Sequence, residues 1–169
     1  MANNARPNQP NKYKQGYYKL INPEKYISDP NQVIYRSGLE LKYIRVFDTS
    51  ESILRWGSEI TGIPYIGPDN KPHTYYVDFY LEKINSEDPL LHDRILLEVK
   101  PDIETMKILE NKPPGPPKKH TPKALENWEY ALREFMKNRH KWIYAKEYAR
   151  QRSMKFLVAG EETLKKFYQ

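Results

Sequence analysis

The sequence predicts an α/β domain, and three observations carry that reading. Two stretches alternate apolar and polar side chains with the period of a β-strand, His73 to Leu81 and Arg94 to Pro101. A later stretch, from Pro122 to about Arg150, repeats Leu125, Trp128, Leu132, Phe135, Trp142 and Ala149 at helical spacing. Between them the run Pro113-Pro114-Gly115-Pro116-Pro117 forbids regular structure and makes a stiff connector.

Taken in order, residues 1–16 are rich in Asn, Gln, Pro and Lys and contain no acid. They read as a mobile basic arm, which leaves residues 17–169 for the folded domain. Val33 to Ile44 predicts a helix burying Val33, Ile34, Leu41 and Ile44, with Gly38 weakening its middle. Ser58 to Tyr65 predicts a strand, closed by a turn at Gly67-Pro68-Asp69-Asn70. The two alternating strands follow, joined by the polar link Asn85-Ser86-Glu87-Asp88-Pro89. Thr121 and Pro122 supply a cap and a first-turn proline for the long helix. Phe156 to Val158 reads as a short last strand and Glu161 to Phe167 as a short last helix. There is no internal repeat.

A chain of 169 residues suits one domain and is long enough for a real core. The formal net charge of +6 is unevenly spread. Lys112 to Lys155 holds 12 Lys or Arg against 4 Asp or Glu, so the remainder is slightly acidic. A concentrated basic segment suits a polyanion such as DNA, and a solvated basic helix face is the competing reading. The absence of cysteine excludes disulfides, thiolate metal sites and cysteine nucleophiles. No apolar run approaches a membrane span and the N-terminus lacks a secretory core, so a soluble, intracellular protein is expected.

The strands carry acids where a plain core would not. Period two places Val77, Phe79 and Leu81 on one face and Tyr76, Asp78 and Tyr80 on the other. Likewise Ile95, Leu97 and Val99 oppose Leu96, Glu98 and Lys100. Acids inside apolar strands need a cation or metal partner, because an unpaired buried carboxylate is costly. A hairpin of the two strands would join Asp78, Glu98 and Lys100, the acid, acid-x-lysine pattern of a metal-dependent nuclease. Magnesium takes oxygen ligands and keeps several waters, which two carboxylates accommodate. A strand-end surface role is the alternative for Lys100. For Glu40 the alternative is an ordinary helix-surface pair with Arg36.

Several motifs now stand in one order: Tyr35-Arg36-Ser37-x-x-Glu40, Trp56-x-Ser58-Glu59 leading to Ile63-Pro64-Tyr65, Asp78-Phe79-Tyr80, and Glu98-Val99-Lys100-Pro101. Asn138-x-x-Lys141-Trp142-x-x-Ala145 and Phe156 to Leu164 continue the series. Over roughly residues 17–165 the chain resembles the head-completion nucleases of tailed myophages. These belong to the PD-(D/E)xK superfamily and are similar in pattern to the end-cleaving endonuclease subunit of some transposons. The resemblance implies a restriction-endonuclease-like single domain with a mixed central β-sheet flanked by helices. It implies Glu40, Asp78 and Glu98 as metal-binding acids, Lys100 as catalytic lysine, and Mg2+ as cofactor with Mn2+ able to substitute. Val77 stands where the superfamily name expects proline. Gly160 reads as family variation.

Ser58 and Glu59 match the same pattern, as supporting groups for the metal acids or as a hydrogen-bonded strand end. Arg36, Lys137, Arg139, Lys141 and Lys146 are candidates for DNA contact. Trp128 and Trp142 read as core rather than base-stacking platforms, and His73 is the one histidine expected near the site. The function implied is endonucleolytic processing of DNA ends after packaging, before neck and tail join, with DNA and phage head and neck proteins as partners. Its place would be the host cytoplasm during assembly, with retention in the virion as a further option. The competing readings are a non-catalytic DNA-binding virion assembly protein and a transposon-end or repair endonuclease on the same fold.

Overall fold

The computed structural model describes residues 15–166. Most of the expected N-terminal arm and the end of the expected last helix lie outside them. The described chain opens with a short antiparallel pair, β1 (Gly16–Tyr17) and β2 (Ile34–Tyr35), enclosing a single 3-10 turn at Pro23–Lys25.

Helix α1 spans Gly38–Thr49, five residues later than the expected start. The cap decides this. The Ser37 hydroxyl accepts from the Glu40 amide at 3.1 Å, and the Glu40 carboxylate accepts from the Arg36 amide at 2.8 Å. Such a reciprocal cap satisfies backbone donors that a helix start leaves free. Upstream, the β-branched pair Val33 and Ile34 favours extended backbone. Ile34 is exposed, while Tyr43, Ile44 and Phe47 are wholly buried.

Four strands form the central sheet in the order β3–β6–β7–β8. β3 (Ile53–Ser58) runs antiparallel to β6 (Phe79–Ile84), which runs antiparallel to β7 (His92–Val99). β8 (Lys155–Ala159) adds in parallel to β7, which makes the sheet mixed. β4 (Gly62–Ile66) and β5 (Pro72–Tyr76) pair as a hairpin apart from this sheet, turning at the expected Gly67 to Asn70.

Two expected strands are therefore each broken in two. Ser58 to Tyr65 breaks at Glu59, which adopts a left-handed φ of 52°. His73 to Leu81 breaks at Val77 and Asp78. The two breaks are tied together: the Glu59 amide donates to the Asp78 carbonyl at 3.0 Å, and the Val77 amide donates to the Thr61 carbonyl at 3.3 Å. Backbone groups that leave one ladder have found partners in the other break, as buried peptide groups must.

The break also reverses the side-chain alternation. Phe79 and Leu81 pack with Ile95, Leu97, Trp56 and α1 on one face of the sheet. Val77 packs on the opposite face, with Tyr75, Ile63, Leu96 and the long helix, and not with Phe79 and Leu81 as strict period two requires.

α3 (Pro122–Gln151) covers that second face through Ala145 and Ala149, and the Thr121 hydroxyl caps it by accepting from the Ala124 amide at 3.2 Å. α2 (Asp102–Leu109) was not expected. It buries only Thr105 and Ile108, too few to show a helical period, and Ile108 packs on Phe135 and Trp142. α4 (Glu161–Lys165) closes the α1 face with Leu164. Its Gly160 cap is required rather than incidental, since a Cβ there would meet the Lys100 carbonyl oxygen at 2.8 Å. The result is a mixed sheet with helices on both faces.

Candidate active site

The register sets the centre of the site. Phe79 pairs with Leu97, which puts Asp78, at the bend before β6, across from Glu98 near the end of β7. Asp78 accepts a hydrogen bond from the Val99 amide at 2.8 Å. Glu98 is only 7% exposed and accepts a hydrogen bond from the Tyr75 hydroxyl.

Two carboxylates in so little water cannot both ionise freely. Burial, then the Glu98 charge, pushes Asp78 up to about 8, with the charges of Glu40 and Glu59 adding to it. The Val99 amide pulls the other way. Glu98 is also raised, by burial first, while the Tyr75 hydroxyl and the Lys100 and Lys141 charges oppose that rise. The pair thus retains a proton at a pH where a lone carboxylate has lost it, and two lysines flank it.

Lys100 lies just beyond β7, and its ammonium rests 3.5 Å from Glu104 on α2. Lys141 comes from α3 and stands 5.0 Å from the centre of the Tyr75 ring. Burial lowers the pKa of Lys141, with Glu98 raising it and Lys137 and Lys100 lowering it. Lys137, one helical turn earlier, shares its face of α3. Lys146 lies about 140° round the helix from Lys141, at 100° per residue. Arg139 is engaged elsewhere, donating to Asn111 at 2.6 Å.

Glu40 and Glu59 form the outer acids. Glu40 sits in the first turn of α1, in the reciprocal cap, and acts on Asp78 through its charge. Glu59 forms a two-pronged ion pair with Arg36, at 3.1 and 2.7 Å. Ser58 shares a 2.6 Å hydrogen bond with Tyr26. His73 pairs with Asp69 at the β4–β5 turn instead of reaching the acids. Trp142 is core, and the half-buried Trp128 donates its indole N–H to the Pro114 carbonyl at 2.9 Å.

Tyr75 was not foreseen. On an unbroken strand it shares the face of Val77 and Phe79, away from Asp78. The bend at Val77–Asp78 reverses the alternation and turns the Tyr75 hydroxyl toward Glu98. Its place on the apolar alternation with Val77, Phe79 and Leu81 was the available signal, since a tyrosine buried on such a face requires a partner for its hydroxyl.

The donor set suits a hard cation. Asp78 and Glu98 offer carboxylate oxygens whose mutual repulsion a divalent ion would neutralise. Among the described residues no three His, Asp or Glu side chains converge to hold an ion by themselves. Asp78 and Glu98 are the carboxylates that could hold such an ion, with waters or substrate oxygens as its remaining ligands.

A mixed sheet flanked by helices, with opposed acids and a lysine at the ends of adjacent strands, defines a nuclease of the restriction-endonuclease-like class. The chain belongs to the TnsA-like endonuclease N-terminal family, whose model matches residues 50–161. The match takes in Asp78, Glu98, Lys100 and Lys141, and Glu40 lies upstream of it. The chain is 28% identical over 145 residues to the head completion nuclease of Enterobacteria phage T4, spanning 85% of this chain and 89% of that protein. No solved structure matches.

Proposed function

We propose that this protein is a magnesium-dependent DNA endonuclease of phage head completion, processing the ends of packaged DNA before neck and tail join. The observation that carries the reading is the buried Asp78–Glu98 pair with Lys100 and Lys141 beside it. A protein that only held DNA would gain nothing from acids aimed at a polyanion. The kinship with a head completion nuclease along nearly its whole length supports the biological setting. A transposon-end endonuclease is the second reading, favoured by the family description alone. Action in the host cytoplasm during assembly, and contact with head and neck proteins, follow from the first reading.

Asp78 and Glu98 would hold magnesium, or manganese in its place, and Glu40 would bias the site from the α1 cap. When bound, the ion supplies Lewis acidity toward a phosphodiester and makes a water more acidic. Tyr75 keeps Glu98 oriented and favours its ionised form. Lys100 stands where an ammonium offsets charge developing on phosphate oxygens. Lys137 and Lys141 draw the backbone toward the acids. The test is incubation of linear and supercoiled DNA with the purified protein, with and without magnesium or manganese. Cutting that appears with either ion and stops with chelator is expected. No cutting of any DNA under any of these conditions sinks the proposal.

Tyr75→Phe should lower cleavage about tenfold, the low end for loss of a group that orients a metal-binding side chain. It should also move the acidic limb of the pH–rate profile to higher pH. The sign follows because a donor to Glu98 favours its charged form, so removing it raises the Glu98 pKa. An acidic limb that stays put would deny Tyr75 this role.

Replacing both Lys137 and Lys141 with Ala should flatten the salt dependence of DNA binding. Each phosphate contact contributes about −0.9 to the log–log slope, so a change near 1.8 is expected. Lys146→Ala, on another face of α3, should change it little. Titrations across a salt series measure both, and a slope unchanged by the double variant would place the DNA elsewhere.

A further inference from the structure

A cleft of about 420 Å³ opens beside Lys100, walled by α2, the connector at Pro114, and α3. Asn138 lines it, is only 9% exposed, and has no hydrogen-bond partner for its side-chain amide among the described residues. Buried amides are almost always paired, so one left open toward a cleft points to a ligand that pairs with it. The other walls fit that ligand's chemistry. Tyr130, 62% exposed, presents a ring at the rim. Lys107 has no ion-pair partner among the described residues, while Lys112 rests 2.6 Å from Glu110 and Lys100 3.5 Å from Glu104. The one further acid in the wall, Glu134, is 3.6 Å from Lys137.

We propose that this cleft receives one unpaired nucleotide of the DNA strand adjoining the site of cleavage. Its preferred substrate would then be DNA offering an unstacked base. The base stacks on Tyr130, and its edge pairs with the Asn138 amide, which both donates and accepts. Lys107 and Lys112 take the flanking phosphates, and Lys100 joins the cleft to the acids. The volume lies in the range of small-ligand pockets and has no room for a base pair with both its backbones. The inference rests on the nuclease reading for what the neighbouring acids do.

The test is fluorescence anisotropy of labelled duplexes without divalent ions: blunt, with a single-stranded overhang of either polarity, and with an internal mismatch. The overhang should bind about tenfold more tightly than the blunt duplex, the scale of one base–aromatic stack. A gain for the mismatch as well would mean that the cleft also takes extruded bases. Asn138→Ala and Tyr130→Ala should each bring overhang affinity down toward the blunt value. Since Tyr130 is exposed, its variant keeps the fold. Equal affinity of the wild type for blunt and unpaired DNA overturns the inference, as does a preference that survives both substitutions. Wild-type protein that prefers unpaired DNA yet cuts nothing with magnesium or manganese upholds the cleft and overturns the nuclease proposal. Protein that cuts DNA yet binds all the duplexes alike does the reverse.

Discussion

Asp78→Asn, and likewise Glu98→Gln, should abolish DNA cleavage while making the metal-free protein more stable at pH 8. The loss of cleavage is expected to be about a thousandfold or more, because losing a metal-binding carboxylate removes several kcal/mol of charge stabilisation. The gain in stability comes from the same carboxylates. Folding raises Asp78 to about 8, through burial and then the Glu98 charge. From the ordinary carboxylate range near 4 up to about 8, the folded state holds a proton that the unfolded state releases. Stability therefore falls as pH rises through that window and is lowest above it. An asparagine cannot ionise, yet still accepts from the Val99 amide. Each tenfold change in proton affinity is worth about 1.4 kcal/mol, so the neutral variant should gain on the order of a few kcal/mol at pH 8. For a domain this size that is a rise of several degrees in Tm. Thermal melts at pH 5 and pH 8 without divalent ions measure it. An Asp78→Asn protein that still cuts DNA, or that keeps the wild-type dependence of Tm on pH, would show the pair to be something other than a strained acid centre.

The second large effect is structural and lies far from the acids in sequence. Asp48 is wholly buried at the end of α1 and gathers the start of the described chain. It accepts from the Tyr18 hydroxyl at 3.0 Å, the Ile21 amide at 2.7 Å and the Asn22 amide at 2.9 Å. Its carbonyl accepts from the Asn22 side chain at 2.7 Å. Asp48→Ala strands two backbone donors at once, each costing about 1–3 kcal/mol when left without a partner. A loss of about 3 kcal/mol or more is expected, with the segment from Tyr18 to Tyr26 losing its hold on α1. Urea unfolding gives the magnitude, and hydrogen exchange at Ile21 and Asn22 the location. A change below about 0.5 kcal/mol would mean that these bonds are replaced by water without penalty.

The sequence by itself determined the strand that carries Glu98 and the long helix. Glu98 and Lys100 lie on the same side of β7 as Leu96 because alternation is a property of the backbone, and β7 runs unbroken from His92 to Val99. Thr121 and Pro122 start α3 because capping is local. Ser37 and Glu40 held the same kind of local signal for α1, and the branched residues upstream masked it.

Only the tertiary structure decided the rest. The break at Val77–Asp78 depends on bonds to Thr61 and Glu59, residues of another strand pair, and that break turns Tyr75 toward Glu98. Helix α2 has too few buried residues to print a period, and Lys141 reaches the acids across roughly forty residues of intervening chain. Asp48 lies past the end of the helix expected from the sequence, and its role arises only where the segment from Tyr18 to Asn22 folds over it. Local backbone preferences fix faces and caps. The pKa of Asp78, the partner of Glu98 and the open amide of Asn138 arise only when distant segments exclude water together.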